Sequence, residues 1–162
     1  MSFPVDSVKE HSMQLARQTV MTSHLEQLLA ILAAVVCLVV TLMFWFSLRA
    51  HQNMWLLPGL YFIEMVALSI VSAFVFVRGD PRASLITWGA AGIICAFSIL
   101  GAFSIGVFYL PVALILVVIS ITWDVRNKQS IPAHVGIFLI AGIVQLVLMI
   151  AAIWLRNSGV IF

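Results

Sequence analysis

The sequence predicts an all-α, polytopic transmembrane bundle of about five helices. Apolar residues make up 64% of the 162 residues and charged residues only 9%, and the mean hydropathy is +1.18. A soluble domain of this size buries too little of its surface to hide so many apolar side chains from water. Four long apolar runs, one of them long enough to cross a bilayer twice, indicate the number of helices.

The first two apolar runs each have the length of one membrane helix. Residues 28–48 and 54–77 are each flanked by polar or charged residues, and the second run ends at the charged loop 78–82. Crossing the hydrocarbon takes about 20 residues of α-helix, so each run predicts one span. Gly79 and Pro81 are typical turn residues and favour a tight loop between the second and third helices.

The third apolar run, residues 83–123, is too long for a single span. It contains no charged residue and would be about 60 Å long as one helix, about twice the thickness of the hydrocarbon core. The run therefore has to turn back, and Gly101 and Gly106 mark the turn. Pro111 follows near the start of the next helix, where its missing N–H does little harm.

The chain is predicted to consist of a tail, one bundle and a short end. Residues 1–24 are expected to form a cytoplasmic tail, residues 25–156 a single bundle and residues 157–162 a short outer tail. An imperfect apolar stripe in residues 5–24 is consistent with either an interfacial helix or a partly ordered tail. The predicted spans are about 28–48, 54–77, 84–102, 106–123 and 131–155.

Lysine and arginine residues fall unequally on the two sides of this bundle. One side holds six and the other two, whereas a single crossing of residues 83–123 would give five to three. Cytoplasmic segments retain Lys and Arg, so the N-terminus is expected in the cytoplasm and the C-terminus outside, as in a bacterial inner membrane. Asp124, Arg126 and Lys128 are interpreted as a solvated cytoplasmic loop. Trp88 and Trp123 fit an aromatic belt at the cytoplasmic interface.

Glu64 is the one carboxylate deep inside a predicted span, roughly 15 Å below the outer start of the second helix. An ionised group in hydrocarbon is costly, so Glu64 is expected to face protein or a water-filled cavity. Helical geometry places Tyr61 and Ser72 on the same side of this helix. That side is predicted to face other helices.

Gln145 on the fifth helix lies at the same predicted depth as Glu64 and shares a helix face with His134. A hydrogen bond between Glu64 and Gln145 is therefore predicted. Small residues spaced by four also predict helix contacts. These pairs are Ala30 and Ala34, Ala33 and Cys37, Ser69 and Ala73, Gly92 and Ala96, and Ser98 and Ala102.

The chain offers little for catalysis or cofactor binding. No Ser or Thr is predicted at the same depth as a His and an acid, so no hydrolase triad and no enzyme are expected. Cys37 and Cys95 lie in apolar runs without the spacing of a metal site, and neither a metal nor a cofactor is expected. His24 and His134, both near the cytoplasmic boundary, are weak candidates for haem ligation. The charged residues are too few and too scattered to form a nucleic-acid-binding surface, so nucleic acid is excluded as a partner.

Three functions remain open at this stage. The leading hypothesis is a non-catalytic membrane protein that acts through helix–helix contacts, as an accessory subunit of a membrane complex or as a homo-oligomer. Its expected partners are the lipid bilayer and other membrane subunits or a second copy of itself. The alternative is a small transporter or channel in which Glu64 relays a proton or cation, and a weaker alternative is a haem- or pigment-binding subunit.

Overall fold

A computed structural model describes residues 5–49, 56–101 and 105–158, with the side chains of 24–47, 59–101, 105–155 and 157–158. Within this part of the chain there are five α-helices, one short 3-10 helix and no strand. The helices are α1 (Val5–Arg49), α2 (Leu56–Arg78), α3 (Ala83–Leu100), α4 (Leu110–Arg126) and α5 (Ile131–Asn157), and the 3-10 helix is Gly106–Tyr109. Five segments are long and apolar enough to span a membrane, one each in α1, α2, α3 and α5 and one formed by the 3-10 helix together with α4, which confirms the predicted class.

Helices α2, α3 and α5 begin and end within a few residues of their predicted bounds, whereas α1 begins much earlier and α4 is shifted three to four residues towards the C-terminus. Helix α1 is continuous from Val5, so it begins well before the predicted span at residue 28. Residues 5–23 are thus helical, and they continue α1 for about 28 Å beyond the candidate span, at a rise of about 1.5 Å per residue. Helix α4 continues to Arg126, three residues past the predicted end, and this places Asp124 on a helix.

Four of the helices form a ring. Helix α1 packs on α2, α2 on α3, α3 on α4, and α4 returns to α1. Helix α5 lies outside this four-helix ring, mainly against α3 and with a smaller contact on α4. Among the described residues, no Cα atom of α2 lies within 8 Å of one from α4 or α5. Helices α2 and α4 therefore face each other diagonally across the ring.

The ring encloses two apolar clusters. The larger one contains Phe62 from α2, Ile94 from α3, and Tyr109 and Leu116 from the segment around the start of α4. The smaller one includes Phe76 and lies nearer the end of the bundle at which α2 reaches Arg78. The outward faces of all five helices carry large exposed apolar side chains, as contact with lipid requires.

The turn between α3 and α4 lies where the sequence places it. The Gly106 N–H donates to the Gly101 carbonyl oxygen at 2.8 Å. A Cβ on Gly106 would come within 2.6 Å of the Gly101 carbonyl carbon, so the two backbones approach too closely for a side chain. The uncharged run therefore crosses the membrane twice, with residues 102–104 outside the described part.

Helices α3 and α5 meet backbone to backbone. A Cβ on Gly92 would lie 2.2 Å from the carbonyl oxygen of Phe138, and a Cβ on Gly142 would lie 3.2 Å from that of Gly92. Small residues allow such approaches between membrane helices. The predicted contact at Gly92 is confirmed, and its partner helix is α5.

We therefore expect Gly92→Ala to force α3 and α5 apart. The added methyl overlaps a backbone oxygen that cannot rotate away, and overpacking of this kind costs about 1–3 kcal/mol. The measurement is the Tm of the purified protein in mild detergent. Gly136→Ala on α5 is the matched control, because a Cβ there meets no atom within 4 Å. Equal Tm values for the two variants would contradict the close approach.

Candidate functional site

The carboxylate of Asp124 collects hydrogen bonds from α3 and α5. Asp124 lies on the last turn of α4 and has no exposed surface. Its Oδ2 accepts hydrogen bonds from Trp88 Nε1 and His134 Nδ1, each at 2.8 Å. Its Oδ1 accepts a hydrogen bond from the Ser84 hydroxyl. One side chain of α4 thereby joins three helices, and we call these four residues the Asp124 cluster.

The interpretation of Asp124 as part of a solvated loop is wrong. The loop was expected to begin at residue 124, but α4 continues to Arg126, so the carboxylate lies on a helix face directed at α3 and α5. Lys128 and Asn127 do lie in the exposed turn after α4. A shift of three residues in a helix end, within the usual error of boundary prediction, changed the environment of the acid completely.

Trp88 also differs from its expected position. It is 3% exposed, and its ring makes an edge contact with Phe138 of α5 at a centroid distance of 6.0 Å. It therefore belongs to the interior rather than to an aromatic belt. Trp154, by contrast, is 67% exposed near the opposite end, where such a belt is expected.

Contrary to expectation, a serine, a histidine and an aspartate do meet at one depth. In a serine-hydrolase relay, the serine lies on one ring nitrogen of the histidine and the acid on the other. Here Ser84 Oγ lies 3.4 Å from His134 Nδ1, the same nitrogen that binds Asp124, and the hydroxyl donates to the carboxylate. The arrangement solvates a buried carboxylate and leaves no histidine nitrogen positioned to activate the serine.

The predicted hydrogen bond between Glu64 and Gln145 is present. Gln145 Nε2 donates to Glu64 Oε2 at 3.0 Å, from a buried residue to a half-buried one. Since α2 and α5 do not pack at the backbone, two long side chains span the distance between them. Tyr61 is half-buried with its ring 6.1 Å from that of Phe97, and Ser72 is buried. Neither Tyr61 nor Ser72 bonds to Glu64 among the described residues.

A third interhelical contact joins α1 to α4. Arg126 Nη2 lies 2.8 Å from Glu26 Oε2, and the guanidinium lies 4.8 Å from the ring centroid of Trp123. Arg126 was interpreted as part of a solvated loop, but it lies on the last turn of α4 and pairs with an acid of α1. Further along α1, Thr41 shares a hydrogen bond of 2.8 Å with Tyr109, the last residue of the 3-10 helix.

His24 and His134 are not brought together. His24 is exposed on α1, and His134 is hydrogen-bonded to Asp124 from α5. Helices α1 and α5 lie on opposite sides of the bundle and do not pack on each other in the described part of the chain. The described residues also contain no group of three or more His, Cys, Asp or Glu that could hold a metal ion.

Fold and side-chain contacts together define a helical integral membrane protein with interhelical polar clusters. No family model, curated protein or solved structure matches the chain.

We expect Trp88→Phe to weaken the Asp124 cluster. Phenylalanine keeps a ring against Phe138 but removes the N–H that donates to the buried carboxylate. Hydrogen bonds to charged groups contribute about 1.5–3 kcal/mol, so the Tm in detergent should fall. Trp154→Phe is the matched control, since that side chain is largely exposed. A Trp88→Phe variant as stable as the control would show that the indole N–H contributes nothing.

Proposed function

We propose that this chain is a non-catalytic integral membrane protein that works through helix–helix contacts, as an accessory subunit of a larger membrane assembly. The observation that supports this proposal most directly is that the carboxylates on its membrane helices bond to side chains of other helices. Glu26 is paired with Arg126, Glu64 with Gln145, and Asp124 with donors from α3 and α5.

In each of these contacts, the carboxylate and its partner come from different helices. Interhelical polar contacts in membranes each stabilise the packing of two helices by about 0.6–2 kcal/mol, and their geometry fixes which helix faces meet. The fourth acid with a described side chain, Asp80, accepts a hydrogen bond from the Arg82 backbone N–H in the loop between α2 and α3. Three of the four acids with described side chains thus join one helix to another.

The length of α1 supports a protein partner in particular. Residues 5–23 continue the helix beyond the predicted span, and the two segments form one uninterrupted element. A helix in a protein gains most of its stability from the packing of one face and not from the intrinsic propensity of its residues. Contact with a neighbouring subunit would supply that packing.

The proposed location is a bacterial inner membrane with the N-terminus in the cytoplasm. The excess of Lys and Arg at the end that holds Arg78, Arg82 and Arg126 supports this orientation. We call this the charged end. Reporter fusions at Met1 and Phe162 test the orientation, and reports from one shared compartment would contradict it.

We expect the tagged chain to co-purify with a stoichiometric membrane protein when extracted in mild detergent. Light scattering gives the mass of the particle and mass spectrometry its composition. A particle made only of this chain in several copies would replace the accessory subunit with a homo-oligomer. A strictly monomeric chain without a partner, with its native Tm, would contradict both.

A variant that lacks residues 2–20 is the matched comparison for this experiment, because it keeps all five candidate spans. Loss of the partner with little change in Tm would locate the contact on the extension of α1. Retention of the partner would locate the contact on the membrane-spanning surface instead.

A second candidate function is a small transporter or channel that uses Glu64. The observation that favours it is the distance between α2 and α5, whose backbones do not pack although Glu64 and Gln145 bond between them. Glu64 is also half-buried rather than fully enclosed. Ionisable groups at this depth are frequent in proton and ion pathways.

If this second function holds, purified protein in liposomes should carry a proton flux that Glu64→Gln abolishes. Glutamine keeps the size of the side chain and can still bond to Gln145, but it cannot release a proton. Asp80→Asn is the control, since it removes an acid in the loop and keeps the oxygen that accepts the Arg82 N–H. Absence of flux in the wild-type protein, or flux unchanged in Glu64→Gln, would eliminate this candidate.

A further inference from the structure

Two buried serine hydroxyls lack the hydrogen bond that three other buried hydroxyls make to the backbone of their own helix. Ser69, Thr87 and Ser98 each donate to the carbonyl four residues earlier on their own helix, at 2.8–2.9 Å. Ser72 and Ser120 are equally buried, with no exposed surface, but have no hydrogen-bond partner among the described residues. A buried hydroxyl without a partner costs free energy, and membrane helices normally satisfy it within the helix.

The two hydroxyls lie at the same depth on helices that face each other. Ser72 precedes Arg78 by six residues on α2, and Ser120 precedes Arg126 by six residues on α4. Both helices end at the charged end of the bundle, so each serine lies about 9 Å below it. Helices α2 and α4 are the diagonal pair of the four-helix ring. The hydroxyls therefore lie on either side of the ring interior.

Two nitrogen donors lie between these hydroxyls and the charged end. Trp123 Nε1 and Arg126 Nη1 are buried and also lack a hydrogen-bond partner within the described residues. The Trp123 ring makes an edge contact with Phe76 at 5.2 Å, one turn beyond Ser72 on α2. Arg126 lies over the same ring and binds Glu26 through its other nitrogen. Four unpaired polar atoms from α2 and α4 thus occupy one half of the ring.

The chemistry of these atoms selects the ligand that would satisfy them. A metal cation cannot bind to the indole and guanidinium N–H groups, which are donors only. An anion would be repelled by the Glu26 carboxylate, which already neutralises Arg126. Water accepts hydrogen bonds from N–H groups and both accepts from and donates to hydroxyls. Buried waters typically make about three hydrogen bonds to such otherwise unpaired groups.

We propose that the charged half of the ring contains ordered water between α2 and α4, bonded to Ser72, Ser120, Trp123 Nε1 and Arg126 Nη1. This hydration site does not depend on the proposed function. It lies on the same helix as Glu64 but ends eight residues short of it, about 12 Å along α2. Water therefore enters the bundle from the charged end and stops before the midplane.

The direct test is water-to-protein polarisation transfer in solid-state NMR, on protein in lipid bilayers with its tryptophan indole nitrogens labelled with ¹⁵N. The resonances are assigned with Trp123→Phe and Trp88→Phe. Trp88 is the matched control, because its Nε1 is also inside the bundle but bonds to Asp124. We expect rapid transfer from water to Trp123 and none to Trp88.

Absence of transfer to Trp123 would overturn the proposal. Equal transfer to both indoles would also overturn it, because the charged end would then be open to bulk water and a separate site would not be needed.

Removal of the hydroxyls gives a second test. Ser72→Ala and Ser120→Ala should each lower the Tm, and the double variant should slow the transfer from water to Trp123. If the interior were dry, neither substitution would lower the Tm, because loss of an unpaired buried hydroxyl leaves the Tm unchanged or raises it. Ser69→Ala is the control, because it removes an equally buried hydroxyl that bonds to its own helix.

Discussion

The hydrocarbon of a membrane offers no hydrogen-bond partner, so each polar side chain inside this bundle has to find one on another helix, on its own backbone or in water. Asp124 shows this constraint most clearly. Its carboxylate has no exposed surface, and Ser84, Trp88 and His134 provide three hydrogen bonds from α3 and α5. Loss of one donor would leave part of a buried charge unsolvated, and this ties the positions of three helices to a single side chain.

The same constraint explains how α5 is held outside the four-helix ring. His134, Gly142 and Gln145 lie along one side of α5, since 8 and 11 residues correspond to rotations of about 80° and 20°. The first bonds to Asp124, the second lies against Gly92 and the third bonds to Glu64. Polar contacts with α4 and α2 thus lie on either side of a close backbone contact with α3. The packing at Gly92 brings both carboxylates within reach of α5.

Some of these contacts could be predicted and others could not, for reasons that lie in particular residues. Glu64 and Gln145 are in the middle of long helices, where an error of two residues at a helix end changes neither their depth nor their face. Asp124 and Trp88 are near helix ends. A three-residue difference in the end of α4 moved Asp124 from an expected loop onto a buried face, and helix position alone could not show that Trp88 points inward.

The sequence by itself determined the membrane class, the number of spans, the turn between Gly101 and Gly106, and the shared depth of Glu64 and Gln145. These are properties of single helices, set by apolar length, a rise of about 1.5 Å and a rotation of about 100° per residue. Only the tertiary structure decided the order of the ring, the place of α5 outside it, and the partners of Asp124. Neighbour order depends on which helix faces fit together, as the Gly92 backbone fits that of Phe138, and no single helix carries that information.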